Sequence, residues 1–131
     1  MRTPSPPDFG YAELVAAMQV YFDGLYHSDT ERLNSVFHPE AIYTCATTGD
    51  LTRMTMPDYF AMVARREAPA VRRETRTDRV VSIAFAGPVT AHVTATCSIG
   101  PKHFTDLLSF VKLNGRWQII AKVFHYDLAT P

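Results

Sequence analysis

The chain has little that would hold it together or anchor it by covalent or membrane devices. It contains two cysteines in 131 residues, too few for the disulfide framework of a small secreted scaffold. Neither cysteine has a CxxC partner, so a cysteine zinc site is not expected. No apolar run approaches the roughly 20 residues that span a bilayer. The opening Met1–Pro7 segment lacks the apolar stretch of a secretory signal, which points to a cytoplasmic protein with no membrane partner. Repeats, low-complexity tracts and linkers are absent, so residues 1–131 read as one domain, with 1–8 an extended, mobile lead-in set by Pro4, Pro6 and Pro7. There is a single tryptophan, and net charge is zero.

What is present is an ordinary globular mixture: 47% hydrophobic and 20% charged residues. A chain of this length can bury a core without metal or cross-link. Charge is unevenly spread. Residues 1–58 carry three arginines against eight acids, and residues 59–131 carry ten Lys or Arg against five. The basic excess peaks at Arg65, Arg66, Arg72, Arg73, Arg76 and Arg79. Glu67, Glu74 and Asp78 interrupt it and few aromatics accompany it, which favours a solvated helix end and strand over a nucleic-acid partner.

Apolar residues recur at helical spacing from about Phe9 to His27 (Leu14, Met18, Tyr21 or Phe22, Leu25). Ser28-Asp29-Thr30-Glu31 reads as a capping box for a second helix ending near Phe37, stopped by His38-Pro39. A strand is expected at Ala41–Cys45, a turn at Thr48–Asp50, and a short return at Leu51–Thr55. Pro57 and Asp58 open a third helix with Tyr59, Phe60, Met62 and Val63 on its buried side, ended by Ala68-Pro69. From about Arg72 the pattern is strand throughout. Val89 to Ile99 alternates strictly, which puts Cys97 on the inner side with Val93 and Ala95; both cysteines are expected as free thiols. Helices first and an antiparallel meander afterwards is an α+β order.

Asn114-Gly115 is a strong two-residue hairpin signal. Its register sets Lys112 against Trp117, Phe110 against Ile119, Leu108 against Ala121 and Asp106 against Val123, all on one face, with Phe104 and His125 at the far end. That face is expected to meet the helices. The opposite face, including Lys122, Phe124 and Tyr126, is expected to meet solvent or a partner. Asp106 then points inward with His125 diagonally across, at ~7 Å between backbones. A carboxylate beside an imidazole in a partly dry cavity is a way to build a general base, so Asp106 and His125 are the candidate catalytic pair. The alternative for Asp106 is a structural place at the sheet's rim, bonded to a backbone amide or to Lys122 through a bulge. Tyr21, Tyr43, Tyr59, Phe110, Trp117 and Ile119 are candidate pocket walls, against the alternative of plain core. The five histidines lack metal-ligand spacing, and neither metal nor cofactor is expected.

Two stretches carry a resemblance. Tyr21-Phe22-Asp23-Gly24-Leu25 through Phe37-His38-Pro39-Glu40-Ala41, and Asp106 to Lys112 with Gly115 to Phe124, resemble the nuclear transport factor 2-like superfamily, most closely the small proteins labelled "putative lumazine-binding". The resemblance implies a cone: three N-terminal helices packed on a strongly curved, mainly antiparallel sheet, with a pocket at one end and homodimers formed through the sheet's outer face. It spans ketosteroid isomerase-like and polyketide cyclase-like enzymes, dehydratases and non-catalytic members. The expected function is binding of a small apolar or aromatic ligand. The alternatives are an isomerase, cyclase or dehydratase using the Asp/His pair, and a dimeric interaction module with no cavity.

Overall fold

A computed structural model describes residues 9–129; the expected lead-in at 1–8 lies outside them. Three helices precede most of the sheet: α1 (Tyr11–His27), α2 (Thr30–Val36) and α3 (Met56–Arg65). The strands are β1 (Phe37–Cys45), β2 (Thr52–Met54), β3 (Arg79–Phe85), β4 (Thr90–Ile99), β5 (Lys102–Leu113) and β6 (Arg116–Leu128). They form one curved, mixed sheet in the order β2-β1-β6-β5-β4-β3. Every pairing is antiparallel except β1 with β6, which is parallel. The α+β cone expected from the sequence is therefore the fold observed.

Local chemistry explains most of the boundaries. α1 buries Leu14, Met18, Tyr21, Phe22 and Leu25, one stripe of a 3.6-residue period. Ser28 closes α1 in the left-handed conformation (φ 49°), its N–H bonding back to Gly24 and Leu25. The cap of α2 is consequently Asp29, whose carboxylate accepts from the Glu31 and Arg32 N–H groups; the expected capping box is displaced by one residue. Thr55 caps α3 by accepting from the Asp58 N–H. That helix ends at Arg65, and residues 66–78 are turns and irregular chain rather than strand. Gly24 lets α1 and α2 touch: a Cβ there would lie 2.7 Å from Leu33 Cδ2.

The strand alternation in β4 holds, with Ala91, Val93 and Ala95 buried and Thr90 and His92 exposed. The hairpin also forms as expected, Asn114 and Gly115 both adopting positive φ (51° and 76°) between Leu113 and Arg116. Its register holds only through Phe110 opposite Ile119. The next pair is Ser109 with Ala121, which leaves Ile120 as a one-residue bulge. Because side chains alternate with period two, the extra residue reverses every side chain beyond it. Lys122, Phe124 and Tyr126 turn inward, while Val123 and His125 turn outward. Leu108 therefore pairs with Lys122, and Asp106 with Phe124, in place of the expected Ala121 and Val123.

Candidate functional site

The bulge creates the site. Beyond Ile120 the inner face of β6 presents Lys122 and Phe124 to α1, α3 and β1, beside Asp106 on β5. Lys122 is diagonal to Asp106 across the ladder, opposite Leu108, the place the unbulged register gives to Ala121. Among the described residues, Asp106 (1% exposed) and Lys122 (4% exposed) are the buried charged side chains. Burying either alone would cost several kcal/mol, so each needs compensation.

The compensation is partial. The Tyr21 hydroxyl donates to Asp106 Oδ2 at 2.5 Å. Asp106 Oδ1 is buried and has no hydrogen-bond partner within the chain. Lys122 Nζ donates one long bond, 3.4 Å, to the Tyr59 hydroxyl. It otherwise sits among ring faces, 5.2–5.5 Å from the centroids of Tyr21, Tyr43, Tyr59 and Phe124. The rings' negative faces replace part of the water the ammonium has lost. Tyr43 stacks on Tyr59 at 4.7 Å between centroids, which holds two of those faces in place.

The electrostatics follow from burial and from this one carboxylate. Burial, the largest single influence, would lower the Lys122 pKa, but Asp106 together with Tyr59, Tyr43 and Cys97 outweighs it and holds the ammonium above its ordinary value. Burial, followed by the Asp106 charge, pushes the Tyr21 hydroxyl well above its usual range. The same two causes raise the Cys97 thiol to about 12. Burial also raises Tyr43, opposed by Lys122 and Arg66. Tyr21 and Cys97 therefore stay protonated at neutral pH, and Lys122 stays cationic.

Asp106 and Lys122 line a small cavity of about 20 Å³, with Tyr43, Tyr59, Arg66 and Cys97 among its walls. Beside it lies a cleft of about 330 Å³ that includes Met54, Met62, Phe124 and Tyr126. The two share Tyr43, Arg66, Ile99 and Phe104. Of the expected site residues, Asp106, Tyr43 and Tyr59 line the cavity, and Tyr21 reaches it through its bond to Asp106. Phe110 and Ile119 are fully buried core residues outside both spaces. Trp117 shares Asp106's face but lies near the hairpin turn, against Phe85 and Lys112.

His125 is on the outer face, its side chain 57% exposed, bonded to Thr47 and Asp127. The structure does not bring it to Asp106. Arg66 is the residue that sequence reasoning missed; Lys122 entered it only as a structural partner that a bulge would bring to Asp106, not as a site residue. Arg66 had a legible signal: with Tyr59 and Val63 it continues one face of α3 at i, i+4 and i+7. Elsewhere in the basic run, Arg72 pairs with Glu74, and Arg76 with Asp23 and Asp78. Among the described residues no group of three or more His, Cys, Asp or Glu is gathered as metal ligands. No helix among them is long and apolar enough to cross a membrane.

A curved sheet closed over by helices, with a polar pair set inside an aromatic wall, defines a cone-shaped protein of the nuclear transport factor 2-like class. Residues 11–125 match the model of the "Putative lumazine-binding" family, and the chain belongs to that family. The chain is 24% identical to Aldolase FrzH of a Cladobotryum species over 117 residues, covering 88% of this chain and 90% of that protein. An NTF2-like protein of unknown function from Shewanella baltica superposes with a TM-score of 0.84 at 18% identity, over 96% of this chain and all of the other. One from Methylobacillus flagellatus gives 0.79 at 21% identity, over 94% and 96%. A structure described as a putative ketosteroid isomerase from Kribbella flavida gives 0.56 at 15% identity, over 92% and 82%. At these identities the structural likenesses establish the fold alone.

Proposed function

We propose that the chain binds a small, largely apolar or aromatic molecule in the Met54–Phe124 cleft, with the polar end of the ligand turned toward Asp106 and Lys122. The observation that carries this is Asp106 Oδ1: a buried carboxylate oxygen on a cavity wall, with no partner in the chain. An unmade hydrogen bond of this kind costs about 1–3 kcal/mol or more, so a purely structural pair would be expected to close it. A ligand hydroxyl, N–H or acidic C–H would meet Oδ1, while Lys122 would face a ligand oxygen. The family's description agrees with small-molecule binding, and the cleft volume falls in the usual range for such sites.

The test is amide NMR titration with lumazine and with a neutral aromatic ketone such as 4-phenyl-2-butanone. Binding should shift the resonances of Met54, Met62 and Tyr126. Absence of any shift at millimolar ligand sinks the pocket reading.

A catalytic version of the same site has one specific support, the aldolase among the relatives. In it Asp106 Oδ1 takes a proton from carbon next to a carbonyl, and the developing enolate oxygen lies opposite the Lys122 ammonium. Tyr21 acts through Asp106 by fixing Oδ2. Deuterium exchange into the ketone's α positions would report this step, and Asp106→Asn should slow it by roughly 100-fold. The protein is also proposed to dimerise through the outer face of the sheet, where Leu107 and Val123 form an exposed cross-strand pair.

A further inference from the structure

Arg66 is the C-terminal cap of α3, and its Nε and Nη2 are both buried without a hydrogen-bond partner in the chain. Those two nitrogens form the side edge of the guanidinium, whose parallel N–H bonds match the two oxygens of a carboxylate. The side chain forms part of the wall common to the small cavity and the larger cleft. By contrast Arg76, with 32% of its side chain exposed, is bonded to Asp23 and Asp78. Around the two spaces the charged residues are Arg66, Lys122 and Lys102 against the single Asp106. A site with three cations and one acid, already using one oxygen of that acid on Tyr21, is set for an anionic guest.

We propose that Arg66 is a carboxylate-recognition residue, and that the ligand is a small aromatic or apolar carboxylic acid. This inference rests on the pocket reading above and specifies its ligand class. The carboxylate docks side-on against Nε and Nη2 at the wall between the two spaces. The apolar body lies among Met54, Met62, Phe124 and Tyr126. A cavity of about 20 Å³ beyond the neck admits little more than one small group, so a substituent next to the carboxylate, such as a hydroxyl or carbonyl, is the part that reaches Asp106 and Lys122.

The experiment compares 3-phenylpropanoate with its neutral isostere 3-phenylpropanamide by titration, following the cleft amides and the Arg66 Nε–H resonance. The acid should bind at least about tenfold more tightly than the amide, the usual margin for a charged bidentate contact over a neutral one, and should shift the Nε–H signal. Arg66→Gln should abolish that preference, bringing the acid's affinity down to that of the amide in the same variant. Arg66→Lys, which keeps the charge and loses the fork, should lose most of it. Thermal melts of both variants check that the fold is kept, and a variant that does not fold is replaced by the Nε–H readout on the unaltered protein. Equal binding of acid and amide, or a preference that survives Arg66→Gln, overturns the carboxylate assignment and leaves the pocket standing. Failure of both probes to shift any cleft resonance overturns the pocket itself.

Discussion

Lys122 shows how a residue's meaning depends on a neighbour that it does not hydrogen-bond. Its one hydrogen bond among the described residues is a long one to Tyr59, yet its charge is balanced by Asp106 and solvated by four rings. Replacing it by methionine keeps the length of the side chain and removes the charge that Asp106 is buried against. Removing one partner of a buried charged pair costs about 3–5 kcal/mol, and Lys122→Met should lower the urea midpoint accordingly. Lys122→Met with Asp106→Asn together should recover part of that loss, because the orphaned charge is gone; additive losses would show the two residues to be uncoupled. Cys97 offers a second check at this scale. Burial and Asp106 push its thiol up to about 12, so almost no thiolate exists at pH 8, where free cysteine reacts readily. Alkylation by iodoacetamide at that pH should be much slower at Cys97 than at a free cysteine, and should speed up in urea.

At the level of elements, the sequence is most readable where the signal is local. The three helices, the strict alternation of β4 and the Asn114-Gly115 turn are set by residues within a few positions of each other, and all appear at or near the expected bounds. The bulge at Ile120 was not local in this sense. Ile119-Ile120-Ala121 is apolar on both faces, so alternation cannot say which residue is extra, and the aligned register sent Lys122, Phe124 and Tyr126 outward. The available signal was bulk: that register leaves two large aromatics on the outer face and fills the inner one with Ala121 and Val123. The parallel seating of β1 beside β6 was likewise invisible, since it depends on residues some 80 positions apart. Close packing between elements is testable at Gly24. An added methyl would meet Leu33 Cδ2 at 2.7 Å, inside a fully buried contact, and overpacking of this kind costs about 1–3 kcal/mol. Gly24→Ala should lower the melting temperature, and Leu33→Ala in the same chain should make the alanine tolerable. Trp117→Ala, which empties a site 5% exposed near the hairpin turn, should cost about 3–5 kcal/mol by the same measure.

The whole molecule is expected to be sensitive to alkali and to associate. Cys97, Tyr21 and Lys122 all hold their protons more firmly when folded than their ordinary values of 9.0, 10.0 and 10.5 would allow. Above those values the unfolded chain releases protons that the folded chain keeps, so stability falls as pH rises. The decline should begin near pH 9 and steepen through pH 11, and urea midpoints that stay level from pH 8 to 11 would contradict it.

Association is expected through the outer face of the sheet. The bulge that turns Lys122 inward turns Val123 outward, where it pairs with Leu107; they are 45% and 41% exposed, and Thr94 lies beside Leu107 on β4. A cross-strand pair of aliphatic side chains on an open, mixed face suits a second sheet of the same kind, and a two-fold interface needs only one such patch. Light scattering at micromolar concentration should give about twice the chain mass of 14.7 kDa. Leu107→Glu with Val123→Glu should return the mass to that of one chain without lowering its helix content, since both side chains point away from the core. The same double variant should leave binding of 3-phenylpropanamide unaltered, because the cleft is on the other side of the sheet. A single-chain mass for the unaltered protein would end the dimer reading, and a double variant that stays dimeric would move the interface elsewhere.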